Sequence, residues 1–441
     1  MIELRDITFY IQTFGCQMNE NDSERIAGLL TSAGAQKIER PEDSRVVIVN
    51  TCAVRGKSEE KLFSYLGRLG ALKKKHGLVI GLAGCVGQLY REKILHKNSS
   101  VDFILGPDNY HRLPEILSRT IRDKPILTSW SRDWNEDERR LFLRESSVSA
   151  YVTIMEGCDN FCAYCIVPFT RGREKCRPLR AILQEIQDVA RQNYKEIQFL
   201  GQNVNSYKDP ETGAPFEELL KSADKVEGIE WIRFLTSHPK DFLPGIAEAM
   251  AGSRHVCRQL HLPLQSGSTA VLERMKRGYT RDDYLETILL LRSLMPEISL
   301  STDIIVGFPG ETEQEFEETL SALEMIGFAN IFSFRYSPRP RTAAANFKDD
   351  VPFEAKRRRL LEVQNRQKAI QTKIHEGFVG RTIKVLCLGK SKKDERIFSG
   401  RSEGHQVVNF TSAKDVIGRF VDVLITACGP YSLRGQGLSP T

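Results

Sequence analysis

The feature that most constrains this chain is a repeated alternation of short apolar, β-branched runs with longer amphipathic ones, in two successive series. ITFYIQTF (7–14), RVVIVN (45–50), LVIGLAG (78–84) and VDFILG (101–106) read as strands, with helical patterns over 21–32 and 57–75 between them. Strands that alternate with helices pair in parallel, because a helical crossover returns the chain to the same end of the sheet. This series ends near residue 123, and the polar stretch 124–148 reads as a linker with some helix. A longer series follows, with strands expected at 150–155, 196–202, 231–236, 259–265, 298–308 and 331–337. Its clearest helices are 280–294 and 311–327, with Thr280 and Thr312 as N-caps. Six βα units suit a partial barrel better than a closed eightfold one. Residues 353–376 form one basic helix, and the β-rich runs RTIKVLCLG, IFSGRS, HQVVNF and RFVDVLITACG then suit a small barrel. The expected fold class is α/β: a doubly wound N-terminal domain over 5–123, a partial (βα)6 barrel over 144–376 and a small β-barrel over 377–440.

Composition narrows the class. Hydrophobic residues make up 41% and charged residues 27%, as in soluble globular proteins. No apolar run approaches the ~20 residues that span a bilayer, so no membrane partner is expected. The start, MIELRDITFYIQ, has acids where a secretory signal has basic residues, so the expected compartment is the cytoplasm. Structural disulfides are rare there, and the 10 cysteines need another account: metal or catalysis, or small apolar residues in cores. The net charge of +6 is uneven. Residues 353–441 hold 17 Lys and Arg against 8 Asp and Glu, which points to an anionic partner or to a solvated helix face. The 8 histidines show no HxxxH or HExxH spacing, and His261 reads as a core or pocket residue.

The strongest chemical signal is GCDNFCAYC, which places Cys158, Cys162 and Cys165 within eight residues directly after a strand. Three thiolates can wrap one face of a four-iron cluster and leave one iron open. An open iron can chelate the methionine moiety of S-adenosylmethionine, whose reductive cleavage gives a deoxyadenosyl radical. Zinc is the competing reading, with Cys176 as its fourth ligand. A second set, Cys16, Cys52 and Cys85, follows three strands in TFGC, VNTC and LAGC. Loops at the C-terminal edge of a parallel sheet gather where ligands bind, so these thiolates could hold a second cluster; otherwise they are separate core cysteines.

CxxxCx[aromatic]C after the first strand of a six-unit barrel resembles the radical S-adenosylmethionine superfamily. The resemblance implies that Tyr164 lies near the adenine, and that Gln265, Arg277 and Asp303 contact the methionine carboxylate or ribose of the cofactor. Over nearly the whole chain, GCQMNENDSE, NTCAVR, AGC, EGCDNFCAYCIVPFTRGRE, LGQNVNSY, HLPLQSGS, DIIVGFPGET and YSPRP resemble the methylthiotransferase signatures, and the end resembles a TRAM RNA-binding domain. TRGRE, LTSHPKDF and YSPRPRTAAA look most like the tRNA 2-methylthio-N6-dimethylallyladenosine synthases, although Arg341 stands where that branch carries Gly. The resemblance implies two [4Fe-4S] clusters, S-adenosyl-L-methionine, and methylthiolation at C2 of N6-dimethylallyladenosine next to the anticodon (position 37). Partners would be the tRNA anticodon stem-loop and an electron donor of unknown identity, and the chain would be a monomer. Sister enzymes acting on threonylcarbamoyladenosine or a ribosomal-protein aspartate, and a non-catalytic metal-containing RNA-binding protein, are the alternatives. Cys176, Cys257, Cys387 and Cys428 match no ligand position and read as structural.

Overall fold

In VVIVNT (46–51) every residue is buried, and the side chains serve two cores at once. Val46 and Ile48 join a cluster with Ile26, Leu30 and Leu117, whereas Val47 and Val49 join another with Leu62, Leu66 and Leu69. Alternate residues of a strand point to opposite faces, so a strand apolar on both faces must lie inside a sheet covered twice. The computed structural model describes residues 4–54, 56–91, 93–123, 127–129 and 141–438. It divides into two compact units: residues 1–145, 156–159 and 165–175, and residues 146–155, 160–164 and 176–441.

The first unit is built on a six-stranded sheet in the order Gln36–Lys37, Thr8–Phe14, Val46–Thr51, Val79–Ala83, Phe103–Leu105, Leu127–Ser129. All its strand pairs are parallel. Helices Gln17–Ser32 and Leu113–Asp123 contribute to the core on one face, and Gly56–His76 and Cys85–Tyr90 to the core on the other. The sheet is doubly wound, as expected. The chain order reverses between Thr8–Phe14 and Val46–Thr51, which makes the crevice beyond those two strands the topological switch point. One element departs from the reading: Leu127–Ser129 is a strand within the stretch read as linker. Three residues are too few to show a periodicity. Residues 124–126 and 130–140 of that stretch, Arg55 of the NTCAVR run and 439–440 of the expected C-terminal domain lie outside the described residues.

In the second unit six parallel strands follow one another in chain order. Ser149–Thr153, Glu196–Leu200 and Trp231–Phe234 form one ladder, and Gln259–His261, Ser299–Val306 and Asn330–Arg335 the other. The Ile232–Val256 bridge joins the ladders. Thr280 and Thr312 are N-caps, as read from the sequence. Each hydroxyl accepts the amide three residues on, and the carboxylates of Asp283 and Glu315 close both capping boxes.

The basic helix Phe353–Glu376 spends part of its charge within this unit. Arg358 forks onto Glu313 at 2.6 and 2.7 Å, Arg359 lies 2.7 Å from Glu311, and Arg366 pairs with Glu324. The five strands Thr382–Ser391, Asp394–Ser402, Val407–Thr411, Phe420–Cys428 and Leu433–Gly437 close into the small barrel. It belongs to the same compact unit as the six-stranded arc, and Arg233 shows why. This fully buried arginine reaches Glu196 Oε2 at 2.6 Å and donates to the Glu403 and Ser402 carbonyls at 2.6 and 2.9 Å. Trp231 meets Phe420 edge-on at 4.8 Å beside them. No helix among the described residues is long and apolar enough to cross a membrane.

Removing one member of a buried ion pair costs about 3–5 kcal/mol, because the other charge stays desolvated. Arg233→Met should therefore lower stability by about that amount, read from the urea midpoint. A truncation at residue 377, which removes the carbonyl acceptors, should lower it as well. Unchanged midpoints in both would show that the small barrel is an independent appendage.

Candidate functional site

The loops after the first unit's strands carry Cys16, Cys52 and Cys85. Cys16 caps the helix Gln17–Ser32. Its Sγ lies 3.4 Å from Asn19 Oδ1, and Asn19 Nδ2 donates to Asn50 Oδ1 at 3.1 Å. Asn50 Nδ2 donates back to the Asn19 carbonyl at 2.8 Å and to Ser23 at 3.0 Å, so the two switch-point loops are pinned to each other. Cys52 Sγ accepts the Val54 amide at 3.3 Å. Gly84, at φ +86°, precedes Cys85; a Cβ there would stand 2.2 Å from Asn50 Oδ1.

The structure brings these three thiols together electrostatically. A hydrogen bond from Cys52, against the opposing pull of burial, lowers the Cys16 thiol to about 6, with help from Arg171 and two backbone amides. The same bond and burial push Cys52 up. Burial also pushes Cys85 up, and Arg171 draws it back. Arg171 is fixed by Asp22 at 2.5 Å, with both side chains almost wholly buried, and Tyr110 donates to Asp22 at 3.3 Å. Neither Asp22 nor Arg171 was singled out from sequence, although both lie inside quoted signatures, GCQMNENDSE and TRGRE. Thr51 Oγ1, next to Cys52, is buried with no hydrogen-bond partner. That donor and the buried guanidinium suit an anionic sulfur-ligated cluster.

In the second set, Cys158 and Cys165 fall in the first unit and Cys162 in the second. Gly157, at φ +83°, lets the chain pass where a Cβ would stand 2.0 Å from the Arg173 carbonyl, and the Cys158 amide donates to Gly172 O at 3.2 Å. Cys162 is buried, and its Sγ accepts from Arg277 Nη1 at 3.2 Å. Arg277 is no surface ion-pair residue: it is buried, donates to Pro263 O at 3.0 Å and lies over the Tyr279 ring. His238 Nε2 lies 3.7 Å from the same sulfur. Burial, with the Arg277 and Lys240 charges, lowers that imidazole to about 2 and keeps it neutral. His238 stands in LTSHPKDF, a signature in which sequence reading gave no residue a role.

The remaining expected residues follow the strands of the arc. Tyr164 packs half-buried against Ala163, Val271, Met275, Phe308, Tyr336 and Ala344. Gln265 holds φ +71°, donates its amide to Asp303 O at 2.8 Å and accepts Ile305 N at 2.9 Å. Asp303 is part-exposed, with Oδ1 3.5 Å from His261 Nε2. Gln265 Oε1, Asn203 Oδ1, Asn205 Oδ1 and Ser237 Oγ are buried without a hydrogen-bond partner, an arrangement that fits a polar ligand at this end of the strands. No three His, Cys, Asp or Glu side chains among the described residues converge as the ligands of one ion would. A four-iron cluster seats each thiolate on its own iron and spaces them more widely. All ten cysteines are outside disulfides; Cys257 and Cys387 are buried, and Cys176 and Cys428 half-buried.

The Asp22–Arg171 pair generates a direct test. Asp22→Asn leaves a buried guanidinium without its counter-charge and should cost about 3–5 kcal/mol. Replacing both residues, Asp22→Leu with Arg171→Met, should cost less than Asp22→Asn alone in the same urea titration. A double variant that loses as much as Asp22→Leu and Arg171→Met made singly, added together, would show that the side chains act independently.

Comparison with known proteins follows the same architecture. Residues 8–106 match the model described as uncharacterized protein family UPF0004, residues 152–323 the radical SAM superfamily and residues 377–438 the TRAM domain. A tRNA-2-methylthio-N(6)-dimethylallyladenosine synthase of Acetivibrio thermocellus is 44% identical over 97% of this chain and 90% of its own length. A Thermotoga petrophila protein of the same name is also 44% identical, over 97% and 96%. Among solved structures, the radical S-adenosylmethionine methyltransferase TsrM from Kitasatospora setae matches 86% of this chain and 77% of its own at 13% identity and a TM-score of 0.54, a likeness of fold. The cobalamin-dependent radical enzyme OxsB matches 82% and 56% at 12% identity and a TM-score of 0.51. With relatives this similar along almost its entire length, the chain belongs to the tRNA-2-methylthio-N(6)-dimethylallyladenosine synthase family of radical SAM proteins.

Proposed function

We propose that this protein adds a methylthio group to C2 of N6-dimethylallyladenosine next to the anticodon of tRNA. The observation that carries the reading is 44% identity, sustained across all three domains, to proteins bearing that name. The radical SAM superfamily brings one [4Fe-4S] cluster and S-adenosylmethionine, and the TRAM domain and the relatives' name bring tRNA. Cys158, Cys162 and Cys165 would hold that cluster, and Cys16, Cys52 and Cys85 a second one. When bound, these groups supply the radical that removes hydrogen from C2, the methyl group and a route for sulfur.

The chain's own part is placement and shielding. Arg277 donates to the Cys162 sulfur and sets a permanent positive charge beside it. His238 lies against the same sulfur as a neutral ring that adds no charge. Gln265, Asn203, Asn205 and Ser237 present polar atoms still lacking partners to a polar ligand above the strands. The target base must leave its stack for C2 to be reached, which a loop nucleotide does at lower cost than a paired one. The small barrel and the exposed remainder of the basic segment would supply phosphate contacts, so tRNA affinity should fall steeply with salt. The working form would be a cytoplasmic monomer that receives electrons from a separate donor.

Two experiments test this. Reconstituted protein should methylthiolate isopentenylated tRNA and leave threonylcarbamoylated tRNA unchanged, read by nucleoside mass analysis. Efficient product on the second tRNA alone would place the chain in the sister branch. Cys16→Ala/Cys52→Ala/Cys85→Ala should retain about half the iron and the reductive cleavage of S-adenosylmethionine but lose the product. Product at wild-type yield from that variant would remove the first triad from the reaction.

A further inference from the structure

The second ladder of the arc has two unlike faces. Leu300, Ile304 and Val306 lie in the main core with helix residues Leu320, Leu323 and Val363, and Ile331 packs against them. The ladder pairs His261 with Ser301, Asp303 with Phe332 and Ile305 with Phe334, so these six side chains share the opposite face. On that face Phe332 is 44% exposed and Phe334 37%, whereas nearly every other strand phenylalanine in this unit is buried. Phe332 meets the His261 ring edge-on at 5.8 Å, and His261 donates to or accepts from Ser301 Oγ at 3.0 Å. Ile305, beside Phe334, packs into the small cluster that contains Tyr164. An apolar stripe (Phe332, Phe334, Ile305) therefore runs beside a polar one (His261, Ser301, Asp303) on the face of the sheet turned away from the main core.

We infer that Phe332 and Phe334 seat the dimethylallyl arm of the substrate base and are the specificity residues for it. The inference rests on the function proposed above and assigns the residues that select its substrate. A five-carbon branched arm has no hydrogen-bonding group and gains by covering exposed aromatic surface. The adjoining polar stripe suits the edge of the base that carries the arm. Charge argues the same way. A threonylcarbamoyl arm would bring its carboxylate to the Asp303 carboxylate, the direct register partner of Phe332, and like charges so placed repel. The arm and the base are covered by different side chains, so losing the phenylalanines should abolish discrimination without abolishing RNA binding.

The test uses the full-length cluster-loaded protein and two anticodon stem-loops, one isopentenylated and one with unmodified adenosine, with affinities read by fluorescence anisotropy. Wild type should prefer the isopentenylated RNA by about tenfold or more, as expected for an apolar group of this size in a hydrophobic seat. Phe332→Ala/Phe334→Ala should bind both RNAs alike, at the wild-type affinity for the unmodified one. Phe332→Leu/Phe334→Leu, which keeps apolar bulk, should retain most of the preference. Iron content should be unchanged in both variants, and the melting temperature should fall only modestly, because both rings are partly exposed. An equal loss of affinity for both RNAs would mean that the rings stack on bases, and it would overturn the assignment. So would a preference that survives in the alanine variant or is missing in wild type. Methylthiolation assayed on the same RNAs separates the two levels. Preferential binding by a wild type that forms no methylthio product overturns the function and leaves the seat; product without preferential binding overturns the seat and leaves the function.

Discussion

A parallel strand sends the loop that follows it to the same sheet edge as its neighbours do, and both sets of candidate ligands depend on that polarity. In the first unit it collects Cys16, Cys52 and Cys85 from strands 8–14, 46–51 and 79–83, otherwise separated by long stretches of chain. Two of those strands flank the point where chain order reverses, so Cys16 and Cys52 follow the two strands at the switch point before any side chain is considered. In the second unit the same polarity brings Asn203, Ser237 and Gln265 to the ends of consecutive strands. An antiparallel sheet would scatter such residues over two edges.

Around this frame, cations are set against sulfur. Arg277 donates to Cys162, and Arg171 offsets part of the burial that raises the thiol of Cys85. Both guanidiniums are buried, where a positive charge is expensive unless it is matched. Arg171 is matched by Asp22 at 2.5 Å. Arg277 has Tyr279, a carbonyl and the thiol itself, so a thiolate at Cys162 would complete its surroundings. Both cations thus stand where negatively charged sulfur ligands are expected.

Features with a period or a fixed spacing were legible in the sequence. The six arc strands, the Thr280 and Thr312 caps and the basic helix each repeat a local rule over enough residues to register. Cys158, Cys162 and Cys165 stand close enough together to be read as a set. What escaped the reading is long-range. Asp22 and Arg171 are 149 residues apart, and nothing local to either marks a buried pair. His238 and Arg277 reach Cys162 from different loops, a convergence that only the fold makes. The strand Leu127–Ser129 is too short to show alternation. Charge counting also overstated the free basicity of the tail, since Arg358, Arg359 and Arg366 answer acids of the neighbouring helix and loop.

The clamp at Arg233 has a consequence for how this chain can vary. Its contacts to the small barrel are main-chain carbonyls, those of Ser402 and Glu403, and any residue carries a carbonyl. The turn at 402–406 is held by side chains as well: Ser402 and Gln406 hydrogen-bond each other, Gln406 Nε2 donates to Ser299 Oγ at 3.4 Å, and the Glu403 carboxylate accepts the Arg258 amide at 3.1 Å. Its length is not free: one residue added or lost would move both acceptors away from a guanidinium that has no solvent to fall back on. Sequences that share the clamp should show a turn invariant in span.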